Sequence, residues 1–263
     1  MAEQSYQGCW ELIAADNGSV DDTVRQLESC QSRLPIRIVD ASHRRGANAA
    51  RNEAASVAKG DLLVFCDADD VVEETWLSNL VETARQFDLV GGRLDEETLN
   101  VHQRGPMRPR MPTDRLPLAL DFLPFATFAN LAIWAEVFGD LGGFDERYLF
   151  GNDDVELCFR AQLRGYGLGF AADAVVQYRH RPHGRGLFRQ FYRYGRNEPL
   201  LYETYRVWGM PRPTAGQVVR RWGRLVLETP LARSPEERGR WLVIAGFSAG
   251  RLVTAVRRQV PYL

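Results

Sequence analysis

Three aspartates, Asp67, Asp69 and Asp70, follow directly after a hydrophobic stretch in the run DLLVFCDADDVV. The stretch before them has the length and the apolar composition of a buried strand. Carboxylates crowded at one strand end repel each other unless a cation or hydrogen bonds compensate their charge. Hard oxygen ligands of this kind suit Mg²⁺ or Mn²⁺ held jointly with the phosphates of a substrate. The motif therefore predicts a divalent metal site, with capping of the next helix as the alternative.

A second acidic pair, Asp153 and Asp154, lies in GNDDVELCFR at the predicted start of a helix. The helix dipole favours anions there, so capping is a sufficient explanation for the pair considered alone. In RRGANAARNEA, Gly46 and Asn48 predict a tight turn, and we expect Arg51 to face back toward the edge of the sheet. A solvated helix start is the simpler interpretation of that run.

Two histidines, His180 and His183, occur in QYRHRPHGR immediately after the last predicted strand. A histidine among arginines is usually a surface residue. At a strand end, however, an imidazole could complete a metal site.

The turn after the first predicted strand, residues 10–15, is a further candidate site. Asn17 and Gly18 stop this strand, and Ser19 with Asp22 predicts a capping box for the helix that follows. Open α/β sheets hold their ligands at such turns, beyond the carboxyl ends of the strands.

Strands and helices alternate along most of the chain, which predicts a mostly parallel sheet covered by helices on both faces. Further strands are predicted at residues 35–41, 61–66, 88–94, 167–170 and 174–180, and helices at 47–58, 74–87 and 153–164. The proline-rich stretch from Asp95 to Pro117 predicts a long loop with a function. From Leu187 onward the pattern is helical, which indicates an α/β domain followed by a helical extension.

The charge of the chain is distributed unevenly, although its formal net charge is only -1. Residues 1–178 carry 16 basic and 29 acidic side chains, whereas residues 179–263 carry 17 basic and 5 acidic ones. The acidic part is compatible with metal binding, and the basic part indicates contact with phosphates, an anionic membrane surface or the acidic part itself. We expect no nucleic-acid partner. The four cysteines are widely spaced and predict buried, reduced thiols, not a zinc site.

The sequence contains no uninterrupted apolar stretch of about 18 residues and no signal-peptide pattern, so we expect a cytoplasmic protein. Peripheral contact with the inner face of the membrane is compatible with the tail. There, a predicted helix has an apolar face opposite a basic one, with Leu242, Ala245, Ala249, Leu252 and Val256 against Arg251, Thr254 and Arg258. Packing of this helix on the preceding α/β domain, or on a second subunit, is the alternative.

In their order and spacing these runs resemble glycosyltransferase family 2, whose members are inverting, nucleotide-sugar-dependent enzymes with a GT-A fold. The matching runs, spread over residues 10–196, are ELIAADNGSVDDT, RGANAARNEAASVAKGDLLVFCDADD, GGFDE, NDDVELCFR and FRQFYRYGR. The resemblance implies an α/β, Rossmann-like GT-A fold. It also implies a catalytic domain over residues 1–184 and a C-terminal helical extension over residues 185–263.

The resemblance implies roles for single residues. Asp16 matches the family's acidic residue that contacts the nucleoside, and Asp67 and Asp69 match the motif that binds ribose and the metal. Asp154 matches the second acid of a paired-acid motif, which serves as the catalytic base, and Asp153 stands where glutamate is usual.

Further site residues follow from the same resemblance. Gln177 or Tyr178 stands where the family often has a metal-contacting histidine, which leaves His180 as the candidate ligand. Substrate binding is also assigned to Asn17, Gly18, Ser19, Arg51 and Asn130.

The implied reaction moves a sugar from a nucleoside diphosphate to an acceptor hydroxyl. A divalent cation at Asp69 would stabilise the charge on the departing diphosphate, and Asp154 would take the proton of the hydroxyl that attacks from the opposite face. The acceptor is expected to be a saccharide or a lipid-linked molecule of cell-envelope polysaccharide biosynthesis, and the enzyme could be an oligomer. A catalytically inactive sugar-nucleotide-binding remnant and a nucleotidyltransferase are the alternatives.

In the family fold, one strand and one helix precede the segment that corresponds to Trp10. The resemblance predicts that the strand and most of the helix are absent from this sequence. The leader MAEQSYQGC resembles only the end of that helix. We therefore expect a sheet edge with unpaired backbone groups, weak donor binding and self-association.

Overall fold

The computed structural model describes residues 1–103, 108–149, 151–228 and 234–263. Its strands are β1 (Leu12–Asp16), β2 (Ile36–Asp40), β3 (Leu62–Phe65), β4 (Val71–Val72), β5 (Leu89–Asp95), β6 (Leu118–Ala119), β7 (Leu123–Pro124), β8 (Leu131–Trp134) and β9 (Leu168–Gln177). Its helices are α1 (Thr23–Cys30), α2 (Ala47–Ser56), α3 (Trp76–Ala84), α4 (Ala135–Leu141), α5 (Asp153–Leu163), α6 (Gly184–Tyr205), α7 (Ala215–Leu227) and α8 (Pro235–Arg258). The predicted α/β class and the helical C-terminal part are confirmed. The prediction of four buried thiols is wrong, because only Cys158 is buried and Cys9 is exposed.

The central sheet has the strand order β3-β8-β5-β9-β4, and it is mixed instead of mostly parallel as predicted. Only β5 and β9 run parallel in it, whereas the other three neighbouring pairs are antiparallel. In the described residues no α-helix lies between β5 and β8 along the chain, so the connection is not a helical crossover and β8 can lie antiparallel to β5. The two strands predicted at 167–170 and 174–180 form the single strand β9, which shifts register against β5 between Gly92 and Arg93.

Strands β1 and β2 form a separate parallel pair. Within the described part of the chain, no ladder joins β1 to β3. The leader before β1 is not helical, contrary to the prediction, and lies along the start of α3. Gln4 Nε2 donates to the carbonyl of Glu73 at 2.7 Å, and Gln4 Oε1 accepts from the amide of Leu77 at 3.0 Å. The polar side chain of Gln4 thus forms hydrogen bonds with backbone groups at the beginning of that helix.

Apolar side chains cover both faces of the central sheet. On one face, α4 and α5 pack on the sheet through Phe138, Leu141 and Leu157, together with Phe144. On the other face, α3 contributes Trp76, Leu77, Leu80 and Ala84. This two-sided burial fixes the strand ends, and therefore the polar side chains that follow them.

Helices α6 and α8 pack at very short range, because glycines lie at their contact. A Cβ atom added at Gly250 would lie 2.2 Å from the carbonyl oxygen of Tyr192, and one added at Gly195 would lie 2.3 Å from that of Phe247. Arg251 of α8 forms an ion pair with the buried Glu198 of α6. Helix α8 thus packs mainly on α6 of the helical extension, whereas the predicted alternative was packing on the α/β domain or on a second subunit. The sequence pattern did not single out its glycine-rich face.

Helix α6 and the segment that follows α8 share a core with the α/β part. Leu201, Tyr205 and Val260 are buried together with Tyr148 and Phe159. The predicted division at residue 184 coincides with the start of α6 but stays a prediction. None of the helices that the structure describes has the length and apolar character needed to span a bilayer.

We expect Gly250→Ala to destabilise the protein by about 1–3 kcal/mol, because the new methyl group forces two helix backbones apart. For a chain of this size, each kcal/mol lowers Tm by about 2–4 °C, which calorimetry can measure. Gly223→Ala is the matched control, since a Cβ atom there meets nothing within 4 Å. It should be neutral or stabilising by up to about 1 kcal/mol. Equal losses in both variants would contradict the close-packing interpretation.

Candidate active site

The three aspartates after β3 lie together as predicted. Asp67, Asp69 and Asp70 each offer a carboxylate oxygen, and these oxygens all lie within 4.8 Å of one another. Strand β4, which follows them, pairs with the end of β9, so the backbone amide of Arg179 donates to Asp70 Oδ1 at 2.8 Å. Arg181 Nη1 lies 3.2 Å from Asp69 Oδ2. The cluster therefore forms where the ends of β3 and β9 meet.

The charge of this cluster is incompletely compensated by the protein. Burial raises the pKa of Asp67, and burial with the neighbouring Asp67 and Asp69 raises the pKa of Asp70 to about 7. The buried Oδ2 atom of Asp70 has no hydrogen-bond partner. Three hard oxygen donors, one of them unsatisfied, fit a divalent cation such as Mg²⁺ or Mn²⁺.

The structure does not bring His180 to the acidic cluster. Its side chain is buried, and Nε2 lies 3.1 Å from Glu96 Oε1. Glu96 follows β5 and His180 follows β9, so the adjacent ends of these parallel strands bring the two together. Arg108, from the described part of the predicted 95–117 loop, completes the group with Nε 3.3 Å from the same carboxylate oxygen. Residues 104–107 of that loop lie outside the described residues.

Arg51 of α2 lies between the two acidic motifs. Nη1 forms an ion pair with Asp153, and Nη2 lies 3.7 Å from Asp67 Oδ1. The guanidinium carbon lies 3.2 Å from the centre of the Phe128 ring, and Nη1 also donates to Asn48 Oδ1 at 3.0 Å. The prediction that Arg51 faces the sheet edge is confirmed. The role of Phe128 was missed, because an aromatic residue between strands carries no distinguishing sequence signal.

Asp153 and Asp154 begin α5, but their environments differ. Asp153 is ion-paired with Arg51, whereas Asp154 accepts from the backbone amides of Phe128 and Val155 at 3.2 Å and 2.8 Å. Burial raises the pKa of both groups, and the pKa of Asp154, which also feels the charge of Asp153, rises to about 7. A carboxylate with such a pKa can exchange a proton near neutral pH.

The turn after β1 mainly organises the backbone around α2. Asn17 Nδ2 donates to the carbonyls of Ala41 and Arg44, both at 2.7 Å, and Asn17 Oδ1 accepts from the amide of Gly46 at 2.9 Å. Asn17 therefore holds the loop that leads into α2.

The predicted capping box of Ser19 and Asp22 is not formed. The amide of Ser19 donates instead to Asp16 Oδ1 at 3.0 Å, and α1 begins at Thr23 without a side-chain cap. Gly18 has a φ of +86° and, like Ser19, is exposed. Asp16, Gly18 and Ser19 thus form a compact polar turn at the end of β1.

Asn130 is structural, and its assignment to substrate binding is corrected. The residue is fully buried. Nδ2 donates to the carbonyls of Arg93 and Ala174 at 3.0 Å and 2.8 Å, and Oδ1 accepts from Trp76 Nε1 at 2.8 Å. The side chain connects β5, β9 and α3, and these internal bonds occupy both ends of its amide.

The loop before α5 is held by α6, which the sequence did not indicate. Asn197 Nδ2 donates to the carbonyls of Gly151 and Leu149 at 2.6 Å and 3.2 Å. Gly151 has a φ of +135°, and a Cβ atom there would lie 2.1 Å from the ring of Tyr194. The helical extension therefore positions the segment that carries Asp153 and Asp154.

Comparison with known proteins gives a consistent result. Residues 1–142 match the family described as Glycosyl transferase family 2. The chain is 24% identical over 264 residues to a pre-mycofactocin glycosyltransferase of Mycobacterium tuberculosis, covering 94% of this chain and 53% of that protein. It is 29% identical over 184 residues to the O-antigen biosynthesis protein RfbC of Myxococcus xanthus, covering 63% of this chain and 14% of that protein.

A similar solved structure is the mannosyltransferase PcManGT of Pyrobaculum calidifontis in complex with GDP-Man and Mn²⁺. The TM-score is 0.63 at 19% identity, with 97% of this chain and 81% of that chain covered. This likeness shows the fold, and the predicted GT-A fold is confirmed. The chain spans at most about half the length of the two curated relatives named above.

We expect Asn130→Ala to destabilise the protein by at least about 3 kcal/mol, because it leaves two carbonyls and one indole N–H buried without partners. Thermal unfolding checks this. Asn79→Ala is the control, since Asn79 also donates to a backbone carbonyl, that of Asp173, but at a more exposed position, so its loss should cost about 1 kcal/mol. A stable Asn130→Ala variant with weakened donor binding would instead restore the substrate-binding role.

Proposed function

Because the chain belongs to glycosyl transferase family 2, we propose that it transfers a sugar from a nucleoside-diphosphate sugar to an acceptor hydroxyl with inversion. The observation that carries this proposal is the geometry around Arg51. One guanidinium connects the acidic cluster after β3 to the acidic pair that begins α5. A donor-binding group and a proton acceptor are thus held at one site, as a single displacement requires.

Asp67, Asp69 and Asp70 would hold the divalent cation of this reaction. When bound, such an ion would offset the negative charge that develops on the departing diphosphate. Arg181 and Arg51 lie beside the same carboxylates and compensate part of their charge. The unsatisfied Oδ2 of Asp70 supports the assignment, as does the Mn²⁺ in the complex of the mannosyltransferase PcManGT.

The nucleoside of the donor is proposed to bind at the turn after β1. Asp16, Gly18 and Ser19 lie there at the carboxyl end of a strand, where α/β sheets hold nucleotides. The GDP-Man bound to the mannosyltransferase PcManGT supports a sugar nucleotide as the class of donor. The sugar itself and its nucleotide are left open by these contacts.

Asp154 is proposed as the general base that takes the proton of the acceptor hydroxyl. It accepts only backbone amides among the hydrogen bonds that the structure gives it, whereas Asp153 is neutralised by Arg51. The acceptor is proposed to be a saccharide or a lipid-linked molecule. The similarity to an O-antigen biosynthesis protein supports an acceptor of cell-envelope polysaccharide synthesis.

The experiment that tests the function is a screen of nucleoside-diphosphate sugars with Mg²⁺ or Mn²⁺ that measures thermal stabilisation and release of nucleoside diphosphate. Release without consumption of a nucleoside triphosphate supports the transferase. Stabilisation without any release, when saccharide acceptors are included in the screen, would identify a binding module, and dependence on a triphosphate would identify a nucleotidyltransferase.

We expect Asp69→Asn to abolish the stabilisation by a nucleoside diphosphate that Mn²⁺ or Mg²⁺ confers, because the cluster loses a ligand charge. Thermal shift with and without the metal measures this. Asp173→Asn is the control, because Asp173 is an exposed aspartate in β9, outside the acidic cluster. A wild-type response that EDTA leaves unchanged would contradict the metal-dependent reaction.

We expect Asp154→Asn to bind donor normally but to lower kcat by about 10²- to 10⁴-fold, because the base is lost. The base must be deprotonated, and the pKa of Asp154 is about 7, so kcat should rise with pH through that value and then level off. Below the pKa, each pH unit should cost up to about tenfold in kcat. An inactive Asp153→Asn with an active Asp154→Asn would show that the register of the pair is wrong.

A further inference from the structure

Helix α7 exposes an apolar stripe that the proposed reaction does not use. Val219 and Val226 retain 71% and 77% of their accessible surface, and Trp222 between them retains 37%. These residues recur at intervals of three and four, so they lie on one face of the helix. No residue of α7 is buried. Large apolar groups at this spacing cost free energy in water unless another surface covers them.

The opposite side of α7 is polar and basic, and one flank rests on α8. Arg220 and Arg224 lie roughly half a turn from the stripe, and Arg224 Nε donates to Glu228 at 3.1 Å. On the flank, Trp241 Nε1 donates to the carbonyl of Leu225 at 3.1 Å, and Arg221 is partly buried. Helix α7 is therefore fixed to the protein with its apolar face turned outward. Its start is fixed as well, by the capping box of Thr214 and Gln217.

The charge of the chain around α7 determines which partner surface can cover this apolar stripe favourably. Residues 179–263 carry 17 basic and 5 acidic side chains. Two copies of the chain that met through their α7 helices would bring these like charges together, which is unfavourable. An anionic surface would gain from the same charges. A helix with a Trp-containing apolar face, arginines on the other face and a basic setting is typical of helices that lie in the interface of a bilayer.

We propose that α7 seats the protein on an anionic lipid bilayer, with Val219, Trp222 and Val226 inserted at the boundary of the acyl chains. The inference is independent of the proposed function, because it requires neither donor nor turnover. Leu252 and Val256 of α8, the helix on which α7 rests, are exposed as well, but the proposal does not depend on them. The membrane contact is thus assigned to α7, whereas α8 mainly packs against α6.

Flotation of the full chain with vesicles tests the proposal. We expect binding to vesicles of phosphatidylcholine with about 30% phosphatidylglycerol and weak binding to phosphatidylcholine alone, because the attraction scales with the anionic charge of the bilayer surface. Val219→Ser with Val226→Ser should lower the partition coefficient at least tenfold. These substitutions keep the charge and have similar helix propensity. Equal melting temperatures of variant and wild type verify that the fold is kept.

Val20→Ser with Val101→Ser is the matched control, because both valines are exposed but lie outside the helical extension. Its binding should equal that of the wild type. A third variant, Arg220→Gln with Arg224→Gln, should reduce binding to the anionic vesicles only. Absence of flotation at low salt overturns the proposal, as does equal binding to neutral vesicles. A dimer that forms without vesicles and is lost in Val219→Ser with Val226→Ser would show that a second copy covers the stripe.

Discussion

The position of Arg51 is the constraint on which the site depends. Its guanidinium carries the charge that lets Asp67 and Asp153 approach each other, and the Phe128 ring lies against it. Two partly buried carboxylates without this cation would repel each other and lose the compensation for their burial. Since Phe128 also donates its backbone amide to Asp154, one residue contacts the cation with its ring and the proposed base with its backbone.

Helix α2 must therefore be placed accurately, and asparagine side chains do this. Asn48 Nδ2 donates to the carbonyl of Tyr148 at 3.0 Å, and Asn52 exchanges two hydrogen bonds with the backbone of Phe144, at 2.9 Å and 2.8 Å. Asn17 fixes the loop before the helix. These amides connect α2, which packs on β1, to the segment that leads to α5. These hydrogen bonds thus hold the β1 and β2 pair in position relative to the central sheet, although the two sheets share no strand in the described residues.

The sequence predicted those parts of the structure that depend on local patterns. The strands before Asp16 and Asp67, the helix at Asp153 and the orientation of Arg51 follow from apolar periodicity, turn residues and helix-start signals. The direction of β8 could not be predicted, because strand polarity within a sheet depends on the path of the intervening chain. Asn130 was misassigned for a similar reason: an asparagine in an apolar run is equally compatible with a ligand contact and with bonds to three distant groups. His180 lies beside Glu96 because β5 and β9 are neighbouring strands, and only the sheet topology shows that they are neighbours.

The core shared by Tyr148, Phe159, Leu201 and Val260 has a consequence for how this chain could have diverged from its relatives. An extension that merely followed the α/β part could be exchanged between homologues as a module. Here, Asn197 and Tyr194 also hold the backbone before the acidic pair, so an exchanged extension would have to reproduce both the apolar fit and these contacts. Substitutions on the inner face of α6 are thus expected to be coupled to substitutions around α5. Recombination that replaced only the extension would therefore disturb the backbone before Asp153 and Asp154.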